Sequence, residues 1–252
     1  MNKPSIQSVA NAFAILEYVL ECSMISEGTG LAEIAERFGM RKTTARNMMQ
    51  TLEFCGYIRR SARGIYAAGE KCAMLSKAGA FAGQIRPAAV RLLRNAAELT
   101  GESFILTTLF NGERMIIASV SGNSVISVNP ALIEDERRFN YSRVTTRVLL
   151  AFAPEYERTM FLAANPVDPK AWPELAESGF DGALAEIRRK KICIRTEKEC
   201  GFYAAACPVF SRKDTFLGAL GGYIPAIRAT QDRIDTLHRT LDRVAEQLIK
   251  KE

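Results

Sequence analysis

The chain has 252 residues, of which 48% are hydrophobic and 25% charged, and its formal net charge is +6. These proportions exclude the disordered and fibrous classes of protein and allow a packed core in each of one or two domains. We expect no membrane span, because no run of about 18 residues is uniformly apolar. We expect no secretory signal either, because residues 1–6 lack its basic and then apolar pattern. A cytoplasmic location is therefore expected.

The first predicted elements are three helices. Apolar residues at three- and four-residue spacing, among them Val9 and Phe13, predict a helix over 7–22 that Ser8 could cap. A second, short helix is predicted over 31–38, and Gly39 supplies the left-handed backbone that ends it. The third helix, Lys42–Phe54, has one apolar face and one polar, basic face.

A hairpin follows the third helix. Two β-prone segments, 57–60 and 65–67, are separated by the turn 61–64. Three helices followed by a hairpin within about 70 residues indicate a winged helix-turn-helix, the hairpin being the wing. From Glu36 to Arg63 there are seven basic residues and two acids, which favours a face that contacts phosphates.

The third helix is the element that fits a DNA major groove. Arg46 and Asn47 can make paired hydrogen bonds to guanine and adenine edges. The residues before them are expected at phosphates near the helix N-terminus, and the wing arginines at the neighbouring backbone or minor groove. The expected DNA-binding residues are Arg41, Lys42, Thr43, Thr44, Arg46, Asn47, Arg59, Arg60 and Arg63.

The remaining chain alternates strands and helices. A connecting helix is predicted over 70–83, and Arg86 with Pro87 breaks or restarts it, which places a boundary near residue 84. Antiparallel strands flanked by helices predict an α+β domain. The predicted strands are 103–110, 115–120, 125–128, 192–195, 202–210 and 216–224, and the predicted helices are 88–99, 143–153, 155–164, 172–190 and 230–250.

The six cysteines and the one histidine, His238, do not suggest a metal site. No pair of cysteines has C-x-x-C spacing, whereas zinc ligands usually lie two to four residues apart. We expect reduced, mostly buried thiols, no metal and no cofactor.

Several short motifs, in order, resemble the IclR family of transcription regulators. Residues 7–16, 31–35, 42–46 and 52–58 are similar to the family's "S-V-x-R-A-l-x-I-L", "L-x-E-I-A", "K-S-T-x-x-R" and "L-x-x-x-G-Y-l" segments. Residues 66–69 are similar to "Y-x-l-G", and 205–210 to "I-A-A-P-V-F". The resemblance covers nearly the whole chain.

The resemblance implies a division into a winged helix-turn-helix DNA-binding domain (1–69), a linker helix (70–85) and a GAF-like effector-binding domain (86–252). It also implies dimerisation through the DNA-binding half and the linker helix, often dimers of dimers, and a repressor more often than an activator. One helix reads only a few base pairs, so a double-stranded operator with two half-sites and a homodimer are expected on physical grounds as well.

The expected effector pocket departs from the family pattern. Gly221 and Tyr223 stand at the family's serine positions, and Arg195 stands near an acidic one. We therefore expect a small anionic metabolite with Arg195 as its charge partner. The expected effector-binding residues are Leu106, Met115, Thr145, Thr146, Arg195, Phe202, Ala204, Gly221 and Tyr223.

Two other functions stay open at this point. The departures in the pocket would suit a DNA-binding regulator that has no ligand. An enzyme with Cys207 as nucleophile would need a base nearby, and His238 lies in a polar-rich terminal helix. We expect a regulator that is not an enzyme and has no catalytic residues.

Overall fold

The structure is a computed structural model that describes residues 4–61, 63–130, 141–197, 201–212 and 214–249. The chain divides into two compact units, Met1–Gly79 and Ala80–Glu252. This division lies inside the predicted linker helix. Each unit is described by itself.

The first unit is a winged helix-turn-helix, as the sequence predicts. Its three antiparallel strands lie in the order β1-β3-β2. The two-residue strand β1 was missed because so short a segment carries no periodicity. The elements are α1 (Gln7–Ile25), β1 (Thr29–Gly30), α2 (Leu31–Arg37), α3 (Lys42–Phe54), β2 (Ile58–Arg60), β3 (Ile65–Ala68) and α4 (Glu70–Ala80).

The turn between α2 and α3 depends on one glycine. Gly39 has a φ of +59°, and the next amide, that of Met40, donates to the carbonyl of Ala35 at 3.0 Å. This pattern satisfies a carbonyl at the end of α2 and turns the chain toward α3. The apolar faces of α2 and α3 then meet in the core, where Ile34 and Met49 are fully buried.

Helix α1 differs from its prediction in two ways. Ser8 lies inside the helix and does not cap it, since the helix begins at Gln7 after Ile6, which makes no side-chain cap. By length and apolar composition α1 could cross a membrane, alone among the described helices and contrary to our expectation. Its Ile15 and Val19 are fully buried in the core of the unit, which assigns α1 to the folded domain.

The second unit is an α+β domain, as predicted. A π-helical turn, Phe81–Ile85, leads directly into α5, and Pro87 lies in the first turn of α5, where its missing N–H costs no hydrogen bond. The further elements are α5 (Arg86–Thr100), β4 (Ser103–Phe110), β5 (Glu113–Val120), α6 (Val144–Phe152), α7 (Glu155–Ala164), α8 (Leu175–Lys190), β6 (Cys193–Glu197), β7 (Phe202–Phe210), β8 (Phe216–Pro225) and α9 (Gln231–Ile249).

The five strands of this unit form one antiparallel sheet in the order β5-β4-β8-β7-β6. Helices α5 and α9 cover one face, here called the α9 face, and α6 and α8 pack on the other, the α6 face. The predicted strand 125–128 is wrong, because this segment is irregular. The hydroxyl of Ser103 binds the backbone of Gly122 and Val128 and so replaces a strand ladder there.

Two adjacent glycines let helices approach both faces of the sheet. A Cβ atom on Gly222 would lie 2.7 Å from Cδ1 of Leu237 in α9, and one on Gly221 would lie 2.7 Å from Cγ2 of Thr145 in α6. Real Cβ atoms do not come so close to other carbons. The absence of side chains at these two positions therefore sets how closely α6 and α9 pack.

Candidate functional sites

The predicted DNA-binding residues lie together on the surface of the first unit. The predicted residues on α3 project from the face of the helix opposite to its buried side, which consists of Ala45, Met49 and Leu52. All nine side chains are exposed: Arg41, Lys42, Thr43, Thr44, Arg46, Asn47, Arg59, Arg60 and Arg63. We call the first six the recognition face and the other three the wing arginines.

The wing is held in place by backbone pairing and by one cation–π contact. Ser61 and Ile65 pair across the turn, with the Ser61 amide donating to the Ile65 carbonyl at 2.8 Å. The Arg60 guanidinium lies 5.5 Å from the centre of the buried Tyr66 ring. This contact holds the guanidinium group next to the sheet and leaves it on the surface, where it can contact phosphate.

An apolar groove of about 560 Å³ runs beside the recognition face within the first unit. Val9 and Phe13 of α1, 48% and 60% exposed, line it together with Leu75 of α4. The sequence predicted that Val9 and Phe13 share one face of α1, and in the single chain both side chains are exposed. Exposed apolar side chains that share a concave surface are typical of a protein interface.

In the second unit the structure brings most predicted effector residues together on the α6 face. Arg195, Ala204 and Tyr223 are direct neighbours across β6, β7 and β8. Phe202 packs edge-on against Tyr223, with ring centres 5.8 Å apart. Gly221 faces Thr145, and Thr146 follows it in the first turn of α6; both threonines are fully buried.

Two predicted effector residues are elsewhere. Leu106 is buried on the α9 face, in the cluster that contains Phe104 and Leu220. Met115 pairs with Thr108, which shares the side of β4 with Leu106, and its side chain is 45% exposed. Since side chains alternate along a strand, neither Leu106 nor Met115 reaches the α6 face, and both predictions of a shared pocket wall are corrected.

Arg195 contacts the segment that precedes α6. It is half-buried, and its Nη1 donates to the backbone carbonyl of Ser142, the second residue before α6. This contact holds the segment that leads into α6. Arg195 therefore borders the cluster and holds Ser142, the residue before Arg143.

Two arginines that the sequence interpretation missed lie at the centre of this cluster. Arg114 of β5 donates from Nη2 to the Thr145 hydroxyl at 2.8 Å. Arg143, only 6% exposed, directly precedes α6. Burial and the positive charge of Arg143 lower the pKa of Arg114 to about 9, whereas the nearby Tyr223 raises it. We call Arg114 and Arg143 the arginine pair.

Tyr223 completes the cluster. Burial raises the pKa of its hydroxyl, and the charges of Arg114 and Arg143 act in the opposite direction. At neutral pH the tyrosine is therefore a neutral hydrogen-bonding group between cations. The hydroxyl of Thr146 is buried and makes no hydrogen bond to any residue that the structure describes. Only the alternation of β5 could have pointed to Arg114, because its partners lie far away in sequence.

Family models match both units. The IclR helix-turn-helix domain matches residues 8–62, and the bacterial transcriptional regulator IclR C-terminal domain matches residues 82–250. The chain belongs to the IclR family. It is thus a transcriptional regulator with an N-terminal DNA-binding domain and a C-terminal effector-binding domain.

Individual relatives agree with this assignment to the IclR family. The Pca operon regulatory protein of Acinetobacter baylyi is 24% identical over 204 residues, which are 79% of this chain and 72% of the relative. An IclR-family regulator from Rhodococcus sp. has the same fold, with a TM-score of 0.57, 19% identity and coverage of 99% of this chain and 97% of its own. For an IclR regulator from Silicibacter sp. TM1040 the TM-score is 0.53 and the sequence identity 22%, with coverage of 97% of this chain and 95% of its own.

Proposed function

We propose that this regulator is a cytoplasmic repressor that binds a two-fold operator as a homodimer, and that a small anionic metabolite in the second unit changes its affinity for DNA. The observation that carries the proposal is that the two units hold groups of basic residues that differ in exposure. The recognition face and wing arginines are exposed in the first unit, where a polyanion can reach them, and in the second unit Arg143 is buried and Arg114 is half-buried.

The DNA-binding part of the proposal assigns roles by chemistry. Arg46 and Asn47 read base edges in the major groove, since their side chains can form two hydrogen bonds to guanine and adenine. The other residues of the recognition face, together with the wing arginines, bind phosphates and set the register of the protein on the duplex. Each phosphate contact adds to the salt dependence of binding.

The dimer is supported by the apolar groove. Val9, Phe13 and Leu75 expose apolar surface that water contacts in a single chain, and burial of this surface against a second copy would stabilise a two-fold pair. Two recognition helices then face two half-sites, which one helix alone could not read with useful specificity. A dimer of dimers would extend the same arrangement.

The effector acts through linkage. A metabolite changes DNA affinity only if it binds differently to the DNA-competent and DNA-incompetent states of the dimer. The relative from Acinetobacter baylyi carries the name of an operon regulator, and we propose that this chain likewise controls an operon whose metabolite is the ligand.

A regulator without a ligand is the second candidate, and the departures of Gly221 and Tyr223 from the family serines favour it. We do not favour an enzyme. Cys207 is buried on the α9 face, and burial raises the pKa of its thiol to about 12, which disfavours the nucleophilic thiolate. His238 was named as the candidate base for such an enzyme, and its ring nitrogen Nε2 lies 2.9 Å from the Tyr203 hydroxyl.

The test starts with the purified chain and a pool of random double-stranded oligonucleotides. Repeated selection should enrich a sequence with two-fold symmetry, with half-sites separated by about one helical turn. Affinity for this sequence should then change when the anion that binds the second unit is added. Enrichment of a sequence without symmetry would contradict the dimer. An unchanged DNA affinity when ligand is bound would support a regulator whose DNA binding no ligand controls.

A further inference from the structure

Helix α3 carries a stripe of exposed side chains that continues past the recognition face. Thr43, Asn47, Gln50 and Phe54 follow one another at intervals of four, three and four residues, and all of them are exposed. Because successive residues of an α-helix are rotated by about 100°, this spacing places them along one side of α3. We call these residues the outer stripe. It lies opposite the buried side of α3 and so projects farthest from the core of the unit.

Phe54 is the apolar end of the outer stripe. It is 92% exposed, so nearly the whole ring contacts water in the single chain, and burial of the ring against a partner would be favourable. Neither Phe54 nor Gln50 is among the described residues that line the apolar groove. The second copy that we propose for the groove therefore does not account for the exposure of Phe54.

Gln50 lies between Asn47 and Phe54 on the outer stripe, and its amide can donate and accept hydrogen bonds at the same time. Its neighbour Thr51 is arranged differently. The Thr51 hydroxyl donates to the backbone carbonyl of Asn47 at 2.8 Å, and Thr51 lines the apolar groove. In this half of α3, Gln50 is thus the better placed residue for contact with a base.

The length of the outer stripe suits a base-reading surface. From Thr43 to Phe54 the helix rises about 16 Å, at about 1.5 Å per residue. Base pairs are about 3.4 Å apart, so a helix lying along the major groove would present this stripe to about five of them. Phe54 cannot form a hydrogen bond to phosphate, whereas the methyl group of thymine is an apolar group exposed in the major groove.

We propose that Gln50 and Phe54 are specificity-determining residues that extend base reading past Arg46 and Asn47. Gln50 makes paired hydrogen bonds to an adenine edge, and the Phe54 ring packs against the methyl group of a thymine. The C-terminal half of α3 therefore reads A·T pairs. This inference rests on the proposed contact of the recognition face with the major groove and adds two residues to the same surface.

The first experiment uses the full-length chain and the duplex that it enriches from the random pool. Each thymine of a half-site is replaced in turn by deoxyuridine, which lacks the methyl group and keeps the hydrogen-bonding groups. At one position we expect this change to weaken binding of the parent chain about threefold to fivefold, as for the loss of one buried methyl group. If no replacement weakens binding, the role of Phe54 is overturned.

Variants then assign the methyl group to its partner. Phe54→Ala should bind the unmodified duplex more weakly and lose no further affinity with deoxyuridine at that position, because the ring that contacts the methyl group is gone. Phe54→Leu keeps apolar surface and should retain part of the difference. Met24→Ala is the matched control, since Met24 is an apolar residue of α1 that is 86% exposed, and it should be as sensitive to deoxyuridine as the parent. Equal sensitivity of Phe54→Ala and the parent would overturn the contact.

The adenine contact has its own probe. In 7-deaza-2′-deoxyadenosine a carbon atom replaces the N7 acceptor, and this base should weaken binding about fivefold or more wherever an adenine is read by paired hydrogen bonds. Gln50→Ala should remove the effect at one adenine, and Asn47→Ala at a different one. A Gln50→Ala variant that stays sensitive at every adenine where the parent is sensitive would overturn the role of Gln50.

The competing explanation is that Phe54 contacts a second copy of the chain. Phe54→Ala should elute like the parent in size-exclusion chromatography over a dilution series, and elution as a smaller species would overturn the proposal. Failure of the proposed function would look different. A selected duplex without two-fold symmetry, or an affinity that no metabolite changes, would contradict that function, while the base replacements still decide the roles of Gln50 and Phe54.

Discussion

In the DNA-binding unit, the residues assigned to function lie on one helix and one hairpin, and every one of them is exposed. In the effector unit they come from β5, the start of α6, β6, β7 and β8, and most of them are buried. A DNA duplex is larger than the domain that reads it and must be met on a surface, whereas a small ligand is recognised by enclosure. The position of the charges therefore follows from the size of each partner.

The largest effect that we expect concerns the framework of the effector unit. Glu102 is 3% exposed, and its Oε1 accepts hydrogen bonds from Arg228 and from Arg233, the latter at 2.9 Å. Glu102→Gln should lower the free energy of unfolding by about 3 kcal/mol, near the low end for a buried ion pair because both arginines reach solvent. Urea denaturation followed by Trp172 fluorescence, which reports on the second unit, would measure it.

The matched control is Glu98→Gln, the same substitution at an exposed position of α5. It should change the stability by no more than about 0.5 kcal/mol. Equal effects of the two substitutions would contradict a structural role of the buried carboxylate. The charges of the effector unit would then contribute as little to stability as surface charges such as those of the DNA-binding unit.

The next effect concerns the recognition face. Arg46→Ala should weaken operator binding by about 1–3 kcal/mol and relax the preference at one base position, if Arg46 reads a guanine. Binding to a set of single-base operator variants measures both. Arg243→Ala removes the same charge from α9 and should leave the preference intact. A loss that is equal for all sequences would instead assign Arg46 to a phosphate.

The two units also differ in how far their sites can be read from the sequence. The three helices and the wing follow from local patterns, and Gly39 marks the turn, so the recognition face could be placed without a structure. The α6 face could not. Leu106 was assigned to it although strand alternation puts Leu106 on the α9 face, and Arg114 was missed because its partner Thr145 is contributed by another element. Pairing between distant strands carries no local signal.

A smaller effect is expected at the close contact between α6 and the sheet. Gly221→Ala would put a Cβ atom 2.7 Å from Cγ2 of Thr145 and 3.2 Å from Cγ2 of Ile105. Both are side-chain methyl groups that can shift, so we expect a loss of about 1–2 kcal/mol in unfolding free energy, within the usual range for overpacking. Because Thr145 also binds Arg114, ligand affinity should fall as well.

Gly79→Ala serves as the control, because a Cβ atom there meets open space. In the interior of α4 this change should stabilise the chain by about 0.5–1 kcal/mol. Thermal unfolding of both variants tests the argument. A neutral Gly221→Ala would show that α6 can move away from the sheet without cost, and the effector site would then be less rigid than its burial implies.

The smallest effect that we expect is a pH dependence in the DNA-binding unit. The Tyr18 hydroxyl donates to Oε1 of Glu33 at 2.5 Å, and this hydrogen bond is the main cause that lowers the pKa of the Glu33 carboxyl below 4.5. A carboxyl group whose pKa is lower in the folded state stabilises the fold above its unfolded pKa, and this contribution is lost as the pH falls through its folded pKa. Tyr18→Phe should therefore destabilise the unit at pH 7 and cease to do so in more acidic solution.

Tyr57→Phe, the same change elsewhere in the unit, is the control. Its difference in unfolding free energy from the parent chain should not disappear as the pH falls across this range. Because Glu33 is exposed, solvent screens the interaction and the difference should be small. A Tyr18→Phe effect that persists at acidic pH would mean that the lost hydroxyl stabilises the unit by something other than the Glu33 carboxylate, because phenylalanine keeps the ring that lies 4.5 Å from the Arg37 guanidinium carbon.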